Sequence, residues 1–94
     1  MAHRVTWSRR ALQDLESIAA YIAADSLAYA TIFVRKIVNQ TRVLASFPRV
    51  GRKVPEFDRE DTRELIVQSY RVIYRIEGDE VVVATVIHGR RIVH

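Results

Sequence analysis

One histidine and a group of arginines are the residues here best equipped for chemistry. Arg71 and Arg75 recur at period two in Tyr70-Arg71-Val72-Ile73-Tyr74-Arg75-Ile76, and His88-Gly89-Arg90-Arg91 follows near the end of the chain. Histidine titrates near neutrality and can act as a general acid or base. Guanidinium forks bind carboxylates and phosphates bidentately. This set therefore suits either acid–base chemistry on a phosphodiester or recognition of an anionic partner. Each residue also has a plainer reading. A lone histidine closing a strand more often makes a local hydrogen bond than a catalytic one. Period-two arginines usually mark a solvated sheet face, and Arg90 and Arg91 read equally as a basic tail after a flexible glycine. Gly51-Arg52-Lys53 lies between Pro48 and Pro55 in a stiffened loop, as an anion-contact patch or as the charged surface of a crossover. His3 and His94 sit near the chain ends and are expected to do nothing chemical. The three histidines lack metal-ligand spacing, so neither a metal nor another cofactor is expected. No Gly-rich phosphate loop, nucleophile elbow or Ser/His/Asp order is present.

The elements that must position these residues follow from periodicity. Residues 3–7 alternate as a short strand, and Ser8 offers an N-cap. Leu12, Leu15, Ile18, Ala19 and Ile22 then recur at helical spacing. Asp25-Ser26 ends this helix and caps a second, whose stripe is Ala30, Phe33, Ile37 and Leu44 with Val34 and Val38 beside it. Phe47-Pro48 stops that helix. With almost no loop between them, the helices should form an antiparallel hairpin. Residues 47–62 read as a loop, followed by strands over about 63–68, 70–77 and 80–88. Gly78-Asp79 fits a two-residue hairpin turn, which places Glu77 opposite Glu80. Uniform pairing outward from it puts Tyr70, Val72, Tyr74, Ile76, Val81, Val83, Thr85 and Ile87 on one face, toward the helices. The second face then holds Arg71, Ile73, Arg75, Val82, Ala84, Val86 and His88. Apolar area among arginines suggests that a partner covers this face. Trp7, Tyr70 and Tyr74 read as core aromatics, not base-stacking platforms. The expected fold is α+β: a small antiparallel sheet, made of an N-terminal strand and a C-terminal three-stranded meander, covered on one face by a two-helix hairpin.

Composition bounds the function classes. The 94 residues fit a single domain over 1–94 with a limited core, and 49% hydrophobic with 28% charged residues is a globular composition. Lys plus Arg number 15 against 11 acidic residues, the pI is about 10.0, and the only lysines are Lys36 and Lys53. An arginine bias of this kind favours anionic partners. Cysteine is absent, which excludes disulfides and thiolate metal sites. Met1-Ala2-His3-Arg4 has no signal-peptide character, and no stretch approaches the ~20 apolar residues of a membrane span. A cytoplasmic protein without membrane association is expected.

Several strings together resemble the ParE/RelE superfamily of toxins from type II toxin–antitoxin systems. They are Trp7-Ser8 with Ala11, Asp14-Leu15, Ile18 and Tyr21-Ile22-Ala23; Phe47-Pro48, Gly51-Arg52 and Val54-Pro55-Glu56; Arg63-Glu64-Leu65; Tyr70 to Ile76; and His88-Gly89-Arg90-Arg91. No single string is specific, but their order and spacing are, and they look most like the ParE, plasmid-stabilisation side. The resemblance implies a cognate acidic antitoxin that wraps and silences the toxin, with operator DNA reached only through that antitoxin. It also implies one of two targets. ParE-like members poison or inhibit DNA gyrase and are not nucleases, whereas RelE-like members cut mRNA in the ribosomal A site without a metal.

Metal-free RNA cleavage needs a base for the 2′-hydroxyl, cations for the phosphorane-like charge and an acid for the leaving oxygen. By motif position Arg71 and Arg91 match two arginines of the RelE-like enzymes, and His88 is the best remaining acid or base. The RelE lysine positions fall near Thr62 and Glu64, and the sequence ends at His94 before a C-terminal tyrosine would occur. Glu64 is expected to pair with a neighbouring arginine. The leading expectation is a gyrase-directed toxin that acts by binding, without covalent chemistry. Its contact residues for target or antitoxin would be Arg71, Ile73, Arg75, Val86, His88, Arg90 and Arg91, with Arg52 and Lys53 as a possible anion-contact loop. A ribosome-dependent mRNA endonuclease using Arg71, Arg91 and His88, and a non-toxic antitoxin-binding module, are the alternatives. Arg71 and Arg91 are both expected at the surface.

Overall fold

The computed structural model describes residues 2–93. Strand β1 (Arg4–Trp7) leads through Ser8 into helix α1 (Arg9–Ala23). The Ser8 hydroxyl accepts the Ala11 N–H and so caps the helix, as the sequence suggests. Ser26 caps helix α2 (Leu27–Arg42) in the same way through Tyr29 N–H. The helix then tightens into a 3-10 turn over Val43–Ala45 before Pro48. Ala30, Phe33, Ile37 and Leu44 are all buried, so the α2 stripe is as expected. On α1 the packing is shifted: Ala11 is the fully buried residue and Leu12 is half exposed.

The sheet has five strands in the order β1-β5-β4-β3-β2. Strands β3 (Thr62–Val67), β4 (Tyr70–Glu77) and β5 (Glu80–His88) form the antiparallel meander. β1 joins it parallel to β5, pairing Val5 with Val81 and Trp7 with Val83. The fifth strand, β2 (Arg52–Lys53), lies within the stretch read from sequence as loop and pairs antiparallel with β3 through Glu64 and Arg63. Phe33, Ile37 and Leu44 meet Val72, Tyr74, Val81 and Val83 in one core, with Trp7 and Tyr70 packed against it. Buried Tyr74 donates its hydroxyl to Pro48 O at 2.7 Å and accepts the Gly51 N–H at 3.0 Å. Gly51 leaves no room for a side chain, since a Cβ there would lie 2.6 Å from both the Tyr74 hydroxyl and Glu64 O.

The Gly78-Asp79 turn sets Glu77 opposite Glu80, and the expected register holds as far as Tyr74 opposite Val83. There it breaks: the next pair is Ile73 with Thr85, leaving Ala84 as an extra residue on β5. Groups on or before α1 hold this bulge. Ser8 Oγ donates to Ala84 O at 2.9 Å, and Asp14 Oδ2 accepts the Val86 N–H at 3.0 Å and the Thr85 hydroxyl at 2.5 Å. Beyond the bulge every side chain of β5 changes face. Val86 enters the helix-facing core, and His88 pairs with Tyr70 and makes an edge contact with its ring. Thr85 and Ile87 move to the second face, opposite Ile73 and Arg71. The expectation that Val86 and His88 share a face with Arg71 and Arg75 is therefore corrected by one inserted residue.

Candidate functional site

The second face of the sheet gathers most of the predicted site residues, and the chain itself covers part of it. Arg71 on β4 was expected at the surface but is only 5% exposed. Its Nε donates to Glu64 Oε1 of β3 at 2.7 Å. Its two Nη atoms grip both oxygens of Glu56 at 2.7 Å each, and Nη1 also reaches Arg91 O at 2.8 Å. Glu64 is fully buried and shares its second oxygen with Arg52 at 2.6 Å. Glu56 in turn accepts the Val93 N–H at 3.0 Å. Arg71 thus ties two strands, the loop after β2 and the C-terminal segment into one cluster, which is why its side chain is covered.

The electrostatics follow from this arrangement. The Arg71 guanidinium, with help from the Val93 N–H, lowers the Glu56 carboxyl from its ordinary 4.5 to about 2. Hydrogen bonds donated to Glu56 and Glu64 raise Arg71 above its ordinary value, against the cost of burial. Two carboxylates meet one guanidinium here, and Arg52 supplies the second cation, so the cluster is compensated internally.

Around this cluster lie three hollows. One of about 420 Å³ has Ile73, Ala84 and Thr85 as its floor, Phe57 and Val93 as walls, and Arg59 and Arg75 at its rim. Both rim cations are already paired, Arg59 with Asp61 and Arg75 with Glu77. On the other side of Val93 a second hollow of about 340 Å³ is lined by Arg10, Ile87, Arg91 and Ile92. The third lies at the sheet end, between Arg52, Gln68, Ser69, His88 and Arg90. The His88 Nδ1 accepts the Arg90 N–H at 3.2 Å, the local bond that the plainer reading of this histidine describes.

Among the predicted residues, the structure brings Arg71, Ile73 and Arg75 onto one face and lays the Arg91 backbone across Arg71. It separates Val86, which is core, and His88 with Arg90, which serve the sheet end. Arg52 is spent on Glu64, and Lys53 lies 3.3 Å from Asp58 and 3.6 Å from Glu60, so the proposed anion-contact loop meets the chain's own carboxylates. His3 donates its backbone N–H to Ala45 O, and His94 lies outside the described residues. Glu56 is the site residue that sequence reasoning missed. The Val54-Pro55-Glu56 string drew attention, but only the fold reveals which arginine it meets. Among the described residues no three His, Asp or Glu side chains gather as a metal cluster, and no helix is long and apolar enough to cross a membrane.

Residues 5–93 match the family model described as the ParE toxin of the type II toxin-antitoxin system parDE. The chain belongs to the ParE toxin family. It is 36% identical over 90 residues, 94% of this chain and 90% of the relative, to "Putative toxin Y4kP" of Sinorhizobium fredii. Its fold is similar to that of a chain from the chromosomal ParDE system of P. aeruginosa, with a TM-score of 0.76 at 22% identity, covering 93% of this chain and 96% of the other. It is also similar to a chain of the RelBE2 toxin–antitoxin complex from Mycobacterium tuberculosis, with a TM-score of 0.58 at 26% identity over 94% and 92% of the two chains. The arrangement of two helices on a five-stranded, mostly antiparallel sheet is thus the ParE/RelE fold. In this ParE-family chain the Tyr70-Arg71 string carries an arginine turned inward.

Proposed function

We propose that this ParE-family toxin acts by binding DNA gyrase and performs no covalent chemistry of its own. The state of Arg71 carries this reading. A cation that stabilises a phosphorane must meet developing charge with unsatisfied donors. Arg71 already serves Glu56, Glu64 and the Arg91 carbonyl, and little of it reaches solvent. His88 lies on the opposite side of the sheet from Arg71, so the two do not converge on one phosphodiester. Both observations weigh against an mRNA endonuclease built from Arg71, Arg91 and His88.

On this reading Arg71 is a fastener, and the contact surface is what it fastens: the C-terminal segment with Arg90 and Arg91, and the hollows on either side of Val93. A cognate acidic antitoxin silences the toxin by covering part of this face or the helical hairpin, and operator DNA is met only through that antitoxin. The place of action is the cytoplasm, and the biological role is plasmid or locus stabilisation. The test is controlled expression in a bacterium with parallel assays of plasmid topology, DNA breakage and translation. Growth arrest with altered topology while translation continues is expected. Arrest with rapid loss of translation and intact DNA overturns the proposal in favour of the endonuclease, and no arrest at all overturns it in favour of a non-toxic module.

A further inference from the structure

The hollow at the sheet end is separate from the two beside Val93 and from the helical hairpin. It measures about 630 Å³ and takes its donors from three segments: Arg52 of β2, Gln68 and Ser69 of the β3–β4 turn, and His88 and Arg90 at and just beyond the end of β5. Among the described residues no carboxylate lines it. Arg52 gives Nε and Nη2 to Glu64 and keeps Nη1. Arg52 and Arg71 are balanced by Glu64 and Glu56, whereas Arg90 makes no ion pair among the described residues. The Arg90 N–H occupies His88 Nδ1, and the His88 ring stands on edge against Tyr70, so the neutral ring carries its proton on Nε2. The Gly89 N–H donates to Ser69 O at 2.6 Å and ties two of the three segments together. The turn adds a second sign. Gln68 and Gly78 each open a hairpin of the meander, at φ 54° and 61°. Glycine takes this left-handed conformation freely and glutamine does not. At the sheet end the strain is tolerated, and what it keeps is a side-chain amide in the wall of the hollow.

We propose that this hollow binds the phosphate monoester of a nucleotide. A terminal phosphate offers three strong acceptor oxygens, which suits donors arriving from three segments, whereas a backbone diester offers two. Arg90 supplies the uncompensated charge, and Arg52 Nη1, His88 Nε2–H, the Ser69 hydroxyl and the Gln68 amide supply further donors. The hollow is larger than a phosphate needs, and its remaining wall is Ile66, whose side chain is 53% exposed and can meet the nucleoside. Binding involves no bond making or breaking and uses neither Arg71 nor the Arg91 carbonyl that covers it. The inference does not depend on gyrase being the target, because it is read on the isolated chain.

The test titrates the full chain, labelled with nitrogen-15, with inorganic phosphate, adenosine 5′-monophosphate, adenosine and acetate at one fixed ionic strength. Saturable amide shifts at Gln68, Ser69, Gly89 and Arg90 are expected with phosphate and with the monophosphate, the latter binding more tightly and also moving Ile66. Adenosine and acetate should leave these amides in place. Arg90→Gln should weaken monophosphate binding roughly tenfold or more, as the loss of a charged hydrogen-bond donor requires. Arg35→Gln, an exposed cation on α2, should change nothing. Gln68→Gly separates a binding role from a structural one: it relieves the strained turn, so the melting temperature should hold or rise while monophosphate binding weakens. A single-stranded oligonucleotide with a 5′-phosphate, compared with its 5′-hydroxyl counterpart, distinguishes the sources of the monoester. Tighter binding of the phosphorylated strand assigns the site to strand ends as well, and equal binding assigns it to free nucleotides. Four results overturn the proposal: acetate matching phosphate, Arg35→Gln losing as much as Arg90→Gln, Gln68→Gly binding unchanged, or the 5′-hydroxyl strand moving these amides while the monophosphate does not.

Discussion

Replacing Arg71 with alanine puts the buried cluster to a quantitative test. The substitution removes four hydrogen bonds of 2.7–2.8 Å, one to Glu64, two to Glu56 and one to the Arg91 carbonyl. Removing one partner of a buried ion pair costs about 3–5 kcal/mol, because the other charge is left buried and unpaired. Here Glu64 keeps Arg52 at 2.6 Å, and the Glu56 side chain has some access to water, so the lower end applies, about 3 kcal/mol. For a chain of this size that is a large share of a total stability of roughly 5–14 kcal/mol. It corresponds to a fall in Tm of about 12–24 °C. Arg75→Ala is the natural control. Arg75 is 49% exposed and pairs only with Glu77 at the surface, so its loss should stay within about 0.5 kcal/mol. Arg71→Lys should recover only part of the loss, since one ammonium cannot reproduce the fork that spans Glu56 and Glu64. Thermal unfolding by circular dichroism reads all three variants. Hydrogen exchange at the Val93 amide reports whether the C-terminal segment comes loose when Glu56 is no longer held. An Arg71→Ala protein that melts within about 5 °C of the parent, with Val93 protected as before, would refute the reasoning that Arg71 is a structural fastener.

Three further outcomes follow from the same geometry. The folded Glu56 carboxyl is lowered from 4.5 to about 2, so its contribution to stability is complete above 4.5 and disappears as pH falls toward about 2; acid titration of the Val93 amide exchange should show the segment releasing within that window, and release between pH 5 and 7 would contradict it. Gly51→Ala should destabilise by about 1–3 kcal/mol, because the new methyl meets Glu64 O and must also displace the Tyr74 hydroxyl; a neutral effect in a denaturant melt would mean that the loop yields. Asp14→Ala should cost about 1–3 kcal/mol and expose the Val86 amide to exchange, since Asp14 accepts the Val86 N–H and the Thr85 hydroxyl just past the bulge; an unchanged Val86 exchange rate would show that the bulge holds without it.

Sequence and structure agree where local chemistry decides. Ser8 and Ser26 cap their helices, Gly78 turns the β4–β5 hairpin, and the α2 stripe packs as its spacing dictates. They diverge where the outcome depends on residues distant in the chain. The bulge at Ala84 is held by Ser8 and Asp14, some 70 positions earlier, and nothing in the run Val81 to His88 announces it. That single insertion sends Val86 into the core and takes His88 away from Arg71. Strand β2 has only two residues between the prolines, too few for alternation to register. The period-two rule correctly placed Arg71 and Arg75 on one face, but it says nothing about what lies over that face. Glu56 arrives from a proline-bounded loop and Arg91 from beyond β5, so the burial of Arg71 is a property of three segments meeting. The pairing of Glu64 with a neighbouring arginine was legible because both sit on adjacent strands.

The central claim, a toxin that binds gyrase and cuts nothing, is tested most directly with purified components. Purified gyrase supercoiling relaxed plasmid in the presence of increasing amounts of this chain should be inhibited, or trapped with broken DNA, at a stoichiometry near one toxin per target site. Unimpaired supercoiling, together with cleavage of ribosome-bound mRNA by the same preparation, would contradict it.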